Sequence, residues 1–169
     1  MRYLFFLLVL NLSFAQTTIF EVARSGTVEE MNVLFQSDAR LINSIDKRGS
    51  SPLTLAAYHN NINVVNYLID KVETVNGESK DGTPLMGAVV KGHTAVVKSL
   101  IQAGADPNLS DANGTTALHY AVMFKNYSIV SLLMDANANI NYKNSVDQSP
   151  LDFAKMHNDE RLNKILNSK

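Results

Sequence analysis

Ser51-Pro52-Leu53 returns as Thr83-Pro84-Leu85, as Thr116-Ala117-Leu118 and as Ser149-Pro150-Leu151, at intervals of 32, 33 and 33 residues. A period of this length marks a stacked helical repeat, in which each unit cannot bury its apolar face alone. The hydroxyl residue is placed to accept a free N–H of a first helical turn, and the proline stands where its missing N–H costs no bond. Each copy therefore opens the first helix of a unit.

Downstream of each opening come small residues: Ala56 and Ala57, Gly87 and Ala88, Ala121, and Ala154. They let a neighbouring element approach closely. Asn60, Gly92 and Asn158, with Lys125 in the fourth unit, then stand where the first helix must break, a place that favours left-handed backbone angles. A second helix follows with an apolar stripe, as in Val64-Val65 with Leu68-Ile69, Val96-Val97 with Leu100-Ile101, and Ile129-Val130 with Leu132-Leu133. These spacings put the apolar side chains on one face.

Upstream of each opening lie Asp46-Lys47-Arg48-Gly49, Ser79-Lys80-Asp81-Gly82 and Asp111-Ala112-Asn113-Gly114. Asp, Asn and Gly supply the local hydrogen bonds and positive φ of tight turns, so exposed hairpin-like fingers are predicted. The finger opening the third unit is one residue short, which accounts for the 32-residue interval. Gly104-Ala105-Asp106-Pro107-Asn108 ends a second helix with glycine just past its last turn.

Thr116-Ala117-Leu118-His119, Gly92-His93, the Val-Val and Leu-Ile stripes and Gly104-Ala105-Asp106-Pro107-Asn108 together resemble the ankyrin repeat. The resemblance covers nearly all of the chain after residue 16. It implies an all-α repeat solenoid of about five helix-turn-helix units joined by finger loops, near residues 17–50, 51–82, 83–115, 116–148 and 149–169. The first unit runs from Thr17 through Ala23 and Gly26 to Val33-Leu34-Phe35. In the last, Asn158, Asp159, Glu160, Asn163 and Lys164 are expected to form a polar cap. Val72 stands where the pattern places glycine, so its loop is expected to be rebuilt or strained, a left-handed valine costing about 1–2 kcal/mol.

Residues 1–15 read differently: Arg2, the apolar run Leu4 to Leu10, then Ser13-Phe14-Ala15 before Gln16. This is the pattern of a signal peptide cleaved after Ala15, with a run far short of the roughly 20 residues that span a bilayer. Residues 16–169 would then form one exported repeat domain without stable membrane insertion. The short signal and the absence of cysteine point to a bacterial protein, periplasmic in preference to extracellular. Losing Arg2 takes the 15 basic residues to 14 against 16 acidic ones, a net charge of −2. Without a clustered basic face no nucleic-acid partner is expected.

Catalysis needs a nucleophile with its base, a carboxylate pair in a pocket or a tight metal cluster, and none can be assembled here. No catalytic residue, metal or cofactor is predicted. His93 and His119 match motif histidines, whose role in the resemblance is to tie backbone turns together. His59 and His157 share a face but belong to the second and fifth units, about 25–30 Å apart at normal helix spacing. The Asn-Xaa-Ser/Thr triplets at Asn108, Asn113 and Asn126 read as turn residues in a bacterial setting.

Ankyrin-like proteins bind other proteins through the finger tips and the inner surface of the first helices. Carried onto this sequence, the inner positions are Arg24 and Ser25, Tyr58 and His59, Val90 and Lys91, Met123 and Phe124, and Met156 and His157. An apolar and aromatic strip flanked by polar and charged residues suits an interface. The alternative reading has Val90 and Phe124 leaning into the seam between units. Lys47, Arg48, Lys80, Asn113 and Val146 on the fingers would orient the partner. The resemblance implies a non-catalytic, monomeric module that scaffolds or protects another exported protein. Exported family members that accompany haem catalases extend this to oxidative-stress defence, with a catalase as partner. A secreted effector or immunity protein that binds a host protein or a toxin is the competing reading.

Overall fold

Three of the four hydroxyl residues that mark the repeat accept the helix N–H predicted of them, while the Thr116 hydroxyl bonds His119 Nδ1 at 2.8 Å. Ser51 Oγ accepts the Thr54 N–H at 3.1 Å, Thr83 Oγ1 the Met86 N–H at 3.3 Å and Ser149 Oγ the Asp152 N–H at 3.2 Å. The computed structural model describes residues 18–79 and 81–168. The stretch read as a signal peptide, and Lys80, lie outside them.

Ten α-helices in five pairs occupy the described residues: α1 (Ile19–Ser25) with α2 (Val28–Ser37), α3 (Pro52–Tyr58) with α4 (Ile62–Ile69), α5 (Pro84–Val90) with α6 (Thr94–Gln102), α7 (Ala117–Met123) with α8 (Tyr127–Asp135), and α9 (Pro150–Met156) with α10 (Glu160–Leu166). A 3₁₀ turn, Ala39–Asn43, follows α2. First helices pack on first helices and second on second, giving an all-α solenoid two helices thick. The core lies between the layers, with Ala56, Val64, Leu68, Val96, Leu100, Leu118, Ile129 and Leu133 wholly buried.

The turn between paired helices uses left-handed backbone at Asn60 (φ 60°), Gly92 (73°), Lys125 (53°) and Asn158 (47°), the four positions the sequence assigns to it. The first unit departs from the others. Its cap is Thr18, where Glu21 completes a capping box. Gly26, which the sequence aligns with Asn60, has φ −85°, so this turn is one residue tighter. Thr18 and Ser51, caps of the first helices, are 33 residues apart; Thr27 and Asn61, caps of the second, are 34. Ser25, rather than Arg24, is therefore the register equivalent of Tyr58.

Val72 meets the first of its two expected outcomes, a rebuilt loop. It is not left-handed, unlike its counterparts Gly104 and Asn137. Helix α4 ends at Ile69, and the Lys71 and Val72 N–H groups both donate to the Leu68 carbonyl, at 2.9 and 3.0 Å. The loop is rebuilt without strain, and Val72 packs partly buried against the core.

A column of polar side chains at the start of the second helices ties three of the four pairs of neighbouring units. The Asn61 amide reaches the Val22, Ala23 and Gly26 carbonyls, the nearest at 2.9 Å. In the next unit His93 Nε2 bonds the Tyr58 carbonyl at 3.1 Å. In the last, Asp159 Oδ2 accepts the Tyr127 hydroxyl at 2.8 Å, so Asp159 braces the stack as well as capping it. Asn108, one of the triplet asparagines, accepts the Asn139 N–H at 2.7 Å, and Asn126 caps α8.

Candidate functional site: the concave groove

Three fingers share one construction. Asp46 Oδ1 accepts the N–H groups of Arg48 and Ser50 at 2.9 and 3.0 Å; Asp111 Oδ1 accepts those of Asn113 and Thr115 at 2.8 and 3.0 Å; Asn144 Oδ1 accepts those of Val146 and Gln148 at 3.1 and 2.9 Å. A carboxylate or amide at the base thus replaces strand partners a free finger lacks. In the shorter finger, Ser79 and Gly82 exchange backbone bonds directly, at 3.1 and 2.9 Å. The Ser145 N–H donates to the Asn113 carbonyl at 2.9 Å, joining two fingers into one wall.

Between that wall and the first helices runs a groove of about 430 Å³. It brings together six of the sequence-predicted residues: Arg24, Arg48, Tyr58, His59, Val90 and Asn113. Arg24 is tied to Asp46 at 3.3 Å. The Lys91 ammonium sits 4.6 Å from the centre of the Tyr58 ring, on which the His59 ring also packs edge-on at 5.3 Å. Partial burial first, then Arg24, Lys91 and His93, hold the His59 pKa below its ordinary value, so the ring is neutral at neutral pH.

The apolar strip continues beyond the groove. Val90 is 36% exposed, Met123 37%, Phe124 54% and Met156 68%, so each keeps apolar surface open to solvent. Phe124 stacks on Tyr120 with ring centres 6.4 Å apart and planes 11° apart. Lys47 and Val146 are exposed on finger tips. His157 is only half-buried, and its Nε2 is buried with no hydrogen-bond partner.

Sequence reasoning missed Tyr120, Asp81 and Asp111, which also line the groove. The Tyr120 hydroxyl donates to Asp111, and burial together with that carboxylate pushes its pKa up to about 12. Tyr120 lies three residues before the position the motif marks, and only the inward turn of α7 brings it to the surface of the groove. Ile45, 68% exposed beside the first finger, was also missed.

The sequence profile described as "Ankyrin repeats (3 copies)" matches residues 5–111 and 73–144. The chain belongs to the ankyrin repeat family. The first match opens inside the stretch read as an export signal. Among its relatives are the palmitoyltransferase ZDHHC13 of Danio rerio, 31% identical over 138 residues, covering 80% of this chain and 21% of that protein. Ankyrin repeat protein L371 of Acanthamoeba polyphaga mimivirus is 32% identical over 148 residues, 83% of this chain and 19% of that protein. An ankyrin repeat-containing protein of Treponema pallidum is 36% identical over 119 residues, 69% of this chain and 40% of that protein.

The chain thus spans between about a fifth and two fifths of the length of these relatives. Ankyrin repeats are protein–protein interaction modules and are generally non-catalytic, and the match to the palmitoyltransferase runs through its ankyrin region. Among the described residues no helix is long and apolar enough to cross a membrane.

Proposed function

We propose that the concave ankyrin groove docks another exported protein and scaffolds or protects it, with oxidative-stress defence as the setting and a haem catalase as the specific partner. One observation supports the docking role above the rest: Tyr58, Val90, Met123, Phe124 and Met156 form an exposed apolar row on one side of the stack. A face that only met water would carry charged and amide side chains at these positions, and clustered aromatic and methionine side chains are what interfaces bury. The positive start and short apolar run of residues 1–15 support export. Nothing in the groove carries haem or peroxide chemistry, so a catalase would be held as a folded partner.

The test captures partners from the source cell's exported fraction on the purified protein and on a Met123→Glu, Phe124→Glu double variant. Both side chains are exposed, so the double variant keeps its fold. One dominant partner lost with the variant supports the reading and identifies the pathway, a catalase being the expected protein. A partner retained by the variant overturns groove docking. A partner taken up only from a host or competitor extract replaces protection with the effector or immunity reading. Mass measurement of the exported protein checks the address: a chain beginning at Gln16 supports cleavage, and one retaining Met1 overturns it.

A further inference from the structure

In the last four units, four residues after the capping hydroxyl, stand Leu55, Gly87, Tyr120 and Phe153. Three are large, and the one in the middle of the stack has no side chain. The backbone does not demand this glycine, because Gly87 has no positive φ. Packing does not demand it either. A Cβ added there would meet nothing nearer than the Tyr58 Cβ at 3.7 Å, an ordinary contact. A glycine inside a helix costs stability relative to alanine, so this one works against its own helix.

Gly87 lines the groove together with Leu55, Tyr58, Val90, Tyr120 and Asp81. Its missing side chain leaves a recess relative to the large residues at the equivalent positions, bordered by Tyr58, whose Cβ and Cδ2 lie 3.7 and 3.8 Å from where a Cβ would stand. The charges near it are uneven. Arg24 is already tied to Asp46 and Asp111 to the Tyr120 hydroxyl, while no close ion pair among the described residues involves Asp81 or Arg48, the Arg48 charge acting on Asp46 only at longer range. The groove lining here is apolar at Leu55, Tyr58 and Val90, and Asp81 and Arg48 add one negative and one positive charge to it.

We infer that the Gly87 recess receives a bulky apolar side chain of an extended peptide whose basic residue pairs with Asp81 and whose acidic residue lies toward Arg48. This rests on the groove reading above and names the chemistry of its occupant. A large anchor in a concave pocket, ringed by complementary charge, combines buried area with direction.

The test pans a displayed library of random linear peptides on the full-length protein and measures the recovered peptides against variants. Enriched peptides should carry a large apolar residue beside Lys or Arg. Gly87→Leu, which fills the recess, should weaken them by about tenfold or more, with a melting temperature at or above that of the parent. Asp81→Lys should shift enrichment from basic to acidic neighbours. No enrichment, a different pattern, or unchanged binding by Gly87→Leu overturns the inference. If Gly87→Leu binds normally while the Met123→Glu, Phe124→Glu variant does not, the recess is discarded and the groove reading stands. If neither variant alters binding, both fall.

Discussion

The Tyr120 hydroxyl donates to Asp111 Oδ2 at 2.5 Å, fastening a first helix to the finger that precedes it. Asp111 is 9% exposed and holds the Asn113 and Thr115 N–H groups on its other oxygen. Tyr120→Phe removes one bond to a charged acceptor and is expected to lower unfolding stability by about 1–2 kcal/mol. Asp111→Ala strands two backbone donors besides and should cost more. Denaturant titration of both variants checks the order, and an Asp111→Ala loss no larger than that of Tyr120→Phe would sink this account of the finger.

Gly26 and Gly87 make opposite demands. A Cβ at Gly26 would fall 2.7 Å from the Val22 Cα and Cγ1 and from Glu30 Oε2, where the turn between α1 and α2 is one residue tighter than elsewhere. Gly26→Ala is expected to lose about 1–3 kcal/mol by overpacking. Thermal melts should show it well below the parent, and a neutral result would mean that this turn relaxes freely.

Lys125 and Val72 both stand where the motif places a helix-breaking glycine, and only one of them adopts its backbone. Lys125 is left-handed at φ 53°, and its 3.9 Å contact with Asp159 is part-exposed and weak. Lys125→Gly should gain about 0.5–1 kcal/mol. Val72→Gly should lose about 1 kcal/mol, since it removes partly buried apolar surface and frees the unfolded chain. Equal shifts in the two melting temperatures would contradict the backbone argument.

His119 is wholly buried. Its Nδ1 accepts the Thr116 N–H at 3.1 Å, which leaves Nε2 to donate to the Gln148 carbonyl at 3.0 Å. Burial, the largest influence, holds its pKa below the ordinary 6.5, against opposing pulls from the Gln148 bond and from Asp111. The unfolded chain therefore binds the proton first, and this contribution is present above about pH 6.5 and lost as pH falls below it. The slope reaches at most about 1.4 kcal/mol per pH unit. Stability measured from pH 7 to 5 should fall less steeply for His119→Gln than for the parent, whatever its absolute value, and parallel slopes would remove His119 from the acid response.

Helix starts, left-handed turns and finger bases were legible in the sequence because each depends on a residue's own backbone chemistry. Ser51, Asn60 and Asp46 act within five residues of themselves. The register of the first unit was not, since Gly26 looks like any other breaker until its φ of −85° shows a tighter turn. Tyr120 was missed for a related reason. Its position belongs to the motif's structural ridge, and its place in the groove is fixed by a bond to Asp111 nine residues away on the preceding finger, a partnership the motif spacing does not mark.

The brace from Asn61 to Val22 spans 39 residues, the longest separation among the side-chain hydrogen bonds described. Each brace joins a unit to its neighbour and reaches no further. Ordering any adjacent pair closes a short loop, and the next unit adds against a surface already made. Folding can begin in any sound pair and spread along the row. Opening runs the other way, so α5 and α7, flanked on both sides, should keep their amide hydrogens longest in deuterated water, while α1 and α10 exchange first.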